Sequence, residues 1–136
     1  MARLSPSLFF TTRCEEALAF YERCGLGQAT IVLRWGQDGM PVRTESMRGK
    51  VLIARFEGPG VRFSASDNDD ADPMKGSALM LEFDTREEMA ETFARLADGA
   101  KITVPLGRQY WGTEFGMLVD AFGVQWMFHH DPTTVA

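Results

Sequence analysis

The chain repeats itself. Thr12-x-x-Glu15 stands 73 positions before Thr85-x-x-Glu88, and Phe20 stands the same distance before Phe93. Later, Gly60-Val61-Arg62-Phe63 parallels Gly123-Val124-Gln125-Trp126 at an offset of 63, so the second copy has the shorter intervening loops. Two similar units of this size bury their apolar faces by packing them together. The 136 residues amount to one domain, 1–136, built of two repeats at about 1–70 and 76–132.

Each repeat reads as β-α-β-β-β. In the first, an apolar strand over 4–11 leads to a helix over 13–24, opened by Thr12 and Glu15 as a capping box. Ala17, Phe20, Tyr21 and Cys24 share one helical face, and Gly25 and Gly27 stop the helix. Strands follow at 29–35, 50–57 and 61–66, with Gly58-Pro59-Gly60 as a tight turn. The second repeat places strands at 77–83, 101–106, 115–120 and 124–129. Its helix runs over 85–98, with Met89, Phe93, Leu96 and Ala97 on one face.

Fourteen Lys and Arg against nineteen Asp and Glu give a net charge of -5, which argues against a nucleic-acid partner. No run approaches 18 apolar residues, so no membrane partner is expected. Cys14 and Cys24 lie too far apart along one helix for a disulfide. They read as reduced thiols, and the expected location is cytoplasmic. Asp67, Asp69, Asp70 and Asp72 fail the EF-hand pattern, because Asp72 and Ala78 stand where Gly and Glu are needed. Gly25-Leu26-Gly27 closes a helix rather than opening one, so it is not a dinucleotide fingerprint.

Four segments carry a family resemblance. They are Leu8-Phe9-Phe10 running into Glu15–Tyr21, Ala54-Arg55-Phe56 with Ser64–Asp67, Asp84-Thr85, and above all Tyr110–Gly116 leading to Val119–Trp126. The chain resembles the vicinal oxygen chelate (glyoxalase/bleomycin resistance/dioxygenase) superfamily, and within it the PhnB-like group, also labelled 3-demethylubiquinone methyltransferase-like. The resemblance implies an α+β fold of two βαβββ modules, whose curved mixed sheets enclose a cleft. It also implies a homodimer. Open strand edges and apolar faces point the same way, since a symmetric partner covers both.

Metal enzymes of the superfamily hold a divalent ion on the first and last strands of each module. The corresponding positions here fall near Ser5, Ala54, Ala78 and Met127, none of which suits zinc or nickel. No metal and no cofactor are therefore expected. Nothing resembles the glycine-rich nucleotide site of a methyltransferase.

The candidate ligand-binding residues are Arg55, Asp67, Arg108, Tyr110, Trp111, Trp126 and Phe128. Trp126 and Phe128 share one face of their strand, with Gln125 and Met127 on the other, and are expected to floor the cleft. Gly112 and Gly116 are expected to let the 108–112 loop bend over it. Arg55 sits in an otherwise apolar strand and calls for an anion or a carboxylate such as Glu82. Asp67 ends a strand and can face the cleft. His129 and His130 point to opposite faces, so they do not share an ion. Three functions remain open. One is metal-independent binding of a small organic molecule, planar and acidic. The second is an enzyme with Asp67, Glu82, His129 and Arg55 as acid–base groups, and the third is a structural dimer.

Overall fold

A computed structural model describes residues 1–132. Its elements are β1 (Ser7–Phe10), α1 (Cys14–Arg23), β2 (Gln28–Arg34), β3 (Val51–Gly58), β4 (Val61–Asp67), β5 (Leu79–Glu82), α2 (Arg86–Leu96), β6 (Lys101–Arg108), β7 (Glu114–Val119) and β8 (Gln125–His130). The chain divides into two compact units, one over Met1–Asp72 and one from Pro73 onward. Each holds one helix and one four-stranded mixed sheet. The strand orders are β1-β4-β3-β2 and β5-β8-β7-β6. In both, the first strand runs parallel to the last, and the other pairs are antiparallel.

In the first unit, α1 buries Cys14, Ala17, Leu18, Phe20 and Tyr21. The Tyr21 ring meets Phe56 and Phe63 edge-on, each with centroids 6.2 Å apart. Phe56 and Phe63 are cross-strand partners stacked at 5.0 Å. Pleating puts Leu8, Phe10, Ala54 and Ala65 on this same side, and all are buried. The helix ends at a left-handed Gly25 (φ 81), where Leu26 N–H reaches Tyr21 O and Gly25 N–H reaches Glu22 O. Gly58 is required by contact: a Cβ there would lie 2.0 Å from the Leu26 carbonyl oxygen.

The second unit buries Met89, Phe93 and Leu96 of α2. Phe93 meets Phe128 edge-on at 4.9 Å, and Phe83 stacks on Phe128 at 6.1 Å. Trp126, 1% exposed, lies on the same side of β8. Its indole N–H donates to Asp120 Oδ2 at 2.8 Å, which supplies the partner a buried indole needs. Asp120 Oδ1 accepts Phe122 N–H and Val124 N–H, so one carboxylate holds both the β7–β8 turn and the core ring.

Two expectations are corrected here. Trp126 and Phe128 are core beneath α2, not the floor of a ligand cleft. Gly116 does not bend the loop: it lies within β7 on the α2 side, where an added Cβ would meet Leu106 Cδ2 at 2.9 Å and Phe93 at 3.2 Å.

Candidate functional site

A sheet with a helix on one side leaves its other side open, and register identifies what stands there. In the first unit the row Thr30–Arg55–Ser64–Ser7 crosses β2, β3, β4 and β1 on the side away from α1. Arg55 is exposed there and pairs with no carboxylate of its own unit. The flanking row sets Gln28, Glu57 and Arg62 opposite one another. Phe9 and Ile53, 52% and 42% exposed, add apolar surface to this side.

In the second unit two rows stand on the side away from α2. One is Val104–Met117–Met127–Met80, and the other is Gly107–Phe115–His129–Glu82. Met80 is 49% exposed, while Met117, Met127, Phe115 and His129 are half-buried. The β6–β7 turn rises beside Phe115. Gln109 N–H bonds Thr113 O, and Gly112, at φ 95, donates to Gln109 O. This turn lifts Tyr110 almost wholly into solvent and leaves Trp111 half exposed, the two rings crossing edge-on at 4.9 Å. Trp111 meets Phe115 at 6.2 Å. Arg108 is exposed where the strand enters this turn.

His129 and His130 do face opposite ways. His130 is buried with Nδ1 3.0 Å from the Phe83 carbonyl oxygen, whereas His129 stands on the open side as the register partner of Glu82.

Asp67 is a further correction. It is 1% exposed and lies on the α1 side. Oδ1 accepts the Cys14 N–H at 2.9 Å, Oδ2 accepts the Val51 N–H at 3.2 Å, and its carbonyl oxygen accepts the Trp35 indole N–H. Both carboxylate oxygens therefore hold backbone and are turned inward. Burial, together with the Asp67 and Glu15 charges, pushes the Cys14 thiol up to about 12, which removes it as a nucleophile. A groove of about 590 Å³ runs from the start of α1 to Lys50. Of its charged walls, Glu15 pairs with Arg34 at 2.9 Å, Arg48 pairs with Glu45 at 3.0 Å, and Arg13 pairs with Glu16.

The superfamily's divalent ion does not fit the residues present. Ala54 is fully buried toward α1, and Met127 is a thioether. Among the described residues no three His, Cys, Asp or Glu side chains converge on a common point.

The profile of the glyoxalase/bleomycin resistance protein/dioxygenase superfamily matches residues 3–128. The chain belongs to this superfamily. It is 29% identical over 140 residues to protein YjdN of Escherichia coli K12, covering 93% of each chain. It is similar to the crystal structure of protein PA1353 from Pseudomonas aeruginosa, with a TM-score of 0.82, 31% identity, and 96% and 98% of the two chains covered. A PhnB protein from Bacillus cereus matches with a TM-score of 0.74 at 28% identity over 95% and 99% of the chains. The α+β glyoxalase-like fold and the PhnB-like relationship expected from the residues thus stand. No helix among the described residues is long and apolar enough to cross a membrane.

Among the residues named from sequence, the structure gathers Trp111 with Phe115, His129 and Glu82, and sets Arg55 on the open side of its own sheet. It removes Asp67, Trp126 and Phe128 to the interior. The row of three methionines was missed, although Met127 was assigned to the face opposite Trp126. The signal lay in the period-two spacing of β5, β7 and β8, once α2 is known to cover Phe128.

Proposed function

We propose that this superfamily member binds a small, planar organic acid on the open side of its second sheet, without the superfamily's divalent ion. The observation that carries this reading is the mixed wall formed by Trp111, Phe115, the methionines and the register partners Glu82 and His129. Apolar area with a few polar anchors is what a small-molecule site requires. Arg108, exposed where β6 enters the turn that carries Trp111, supplies an anchor for an acidic group. The protein is proposed to work in the cytoplasm as a homodimer, since β1, β2, β5 and β6 are edge strands with unpaired backbone groups.

The test is a fluorescence titration with a library of aromatic acids, read against Trp111→Ala and Arg108→Met. A true ligand should lose about 2 kcal/mol, roughly 30-fold, with Trp111→Ala. Arg108→Met should weaken the acid while sparing its amide. A library with no saturable binder ends the proposal.

The Glu82–His129 register favours a second reading, in which a carboxylate and an imidazole on adjacent strands move a proton on the bound molecule. Recovering a bound acid unchanged, with no solvent deuterium incorporated, would remove it.

A further inference from the structure

His, Cys, Asp and Glu are not the only metal ligands a chain can offer, since the thioether of methionine is another. Three of the eight methionines, Met80, Met117 and Met127, occupy a single row on the open side of the second sheet. Met127 is the central member, with Met117 its register partner on β7 and Met80 its partner on β5. Adjacent strands lie about 4.8 Å apart, so the outer two residues are separated by about 10 Å at the backbone. A methionine has three rotatable bonds, and its sulfur stands far enough from the sheet to lean one strand inward. All three sulfurs can therefore meet over Met127. His129 lies two residues along β8 on the same side, with Glu82 as its register partner on β5.

We propose that Met80, Met117 and Met127, with His129 as a fourth available donor, form a binding site for a soft monovalent cation, Cu(I). Three neutral thioethers do not compensate a dication stripped of its water, and no carboxylate stands in the row itself. A soft monocation that accepts three-coordinate sulfur ligation meets neither objection. The row is open to an incoming chelated ion, since Met80 is 49% exposed. The two thiols that would otherwise compete for copper, Cys14 and Cys24, are both buried in the first unit. No electron transfer is involved: the ion enters and leaves as Cu(I). The site does not depend on the organic acid proposed above, and its test contains none.

The experiment uses the full chain, labelled with ¹³C at the methionine methyl groups and kept free of oxygen. Cu(I) is delivered from a chromophoric chelator, and Ag(I) serves as a redox-inert second probe. One equivalent of either ion should shift the Met80, Met117 and Met127 methyls together, leaving the buried Met47 and Met89 methyls in place. Zn(II) at the same concentration should move none of them. Met127→Leu keeps the apolar wall and removes the central sulfur, and it should weaken uptake about 100-fold. Met80→Leu and Met117→Leu should each weaken it less. X-ray absorption of the copper-loaded protein should show sulfur near 2.3 Å, a distance typical of soft sulfur ligation. Uptake by Met127→Leu within about threefold of the parent would overturn the site. Copper uptake with the three methyls unmoved, or no removal of copper from the chelator, would also overturn it.

Discussion

The two units use different devices to start the same helix. In the second, Thr85 Oγ1 accepts Glu88 N–H at 3.2 Å, a cap made within one turn of chain. In the first, Thr12 makes no such bond and Arg13 occupies the cap position. The first-turn N–H of Cys14 is instead satisfied by Asp67, 53 residues away on β4. Glu15, free of capping duty, forms a two-pronged pair with Arg34, which holds its carboxyl below the usual range. One helix start is local and replaceable, and the other is a tertiary joint binding α1, β3 and β4. The open sides differ too: Arg55 and hydroxyls mark the first sheet, thioethers and rings the second.

The largest effect should come from confusing inside with outside in the second unit. Trp126→Ala should cost about 3–5 kcal/mol, since it empties a packed site and removes the indole donor from Asp120 Oδ2. Trp111→Ala should stay within about 0.5 kcal/mol. Urea unfolding of both variants decides it, and the reverse ranking would mean that interior and surface are misassigned in this unit. The helix starts come next. Asp67→Ala leaves two buried N–H groups without acceptors and should cost about 2–4 kcal/mol. Thr85→Ala should cost about 1 kcal/mol. Thr12→Ala should cost nothing measurable, and a loss there equal to that at Thr85 would erase the contrast.

A smaller effect concerns pH. The folded Cys14 thiol titrates at about 12, above the ordinary thiol range of roughly 8.5 that the unfolded chain keeps. An acid whose folded value is raised contributes stability that is fully present below the unfolded value and lost as pH rises toward the folded one. Urea midpoints should therefore fall between about pH 9 and 12, and Cys14→Ala should flatten that slope. At pH 8 native Cys14 should resist iodoacetamide that labels the unfolded chain. Rapid native labelling would show the joint around Asp67 to be open.

Much of this architecture is legible in the residues. The repeat and its glycine stops foretell βαβββ twice, and the observed helices lie inside the expected 13–24 and 85–98. Alternation on β8 separates Trp126 and Phe128 from Gln125, Met127 and His129, but it does not say which side is covered. That depends on where Phe93 lands, a long-range contact that no local pattern carries. Large rings fit a binding wall and a core equally well, and here the core took them. Asp67 fails for a similar reason. A carboxylate at a strand end looks solvent-directed until Cys14 N–H and Val51 N–H are known to face it. The letters of Thr12-x-x-Glu15 match a capping box, yet the helix begins one residue too late to use it. That Tyr110 and Trp111 stand in a loop between strands is legible, because the glycine that follows them favours a turn.

The bond from Asp67 to Cys14 also carries a consequence for the order in which the chain assembles. A helix of ten or eleven residues is marginal in water by itself, so what fixes its first turn governs when it persists. The start of α2 is fixed by a neighbour three residues away and is available as soon as that stretch is synthesised. The start of α1 waits for β4, whose arrival requires closing a loop of more than fifty residues. The duplicated halves should therefore not fold in step. In stopped-flow measurements Thr85→Ala should slow refolding, because its bond forms early. Asp67→Ala should chiefly quicken unfolding, because its bond closes last.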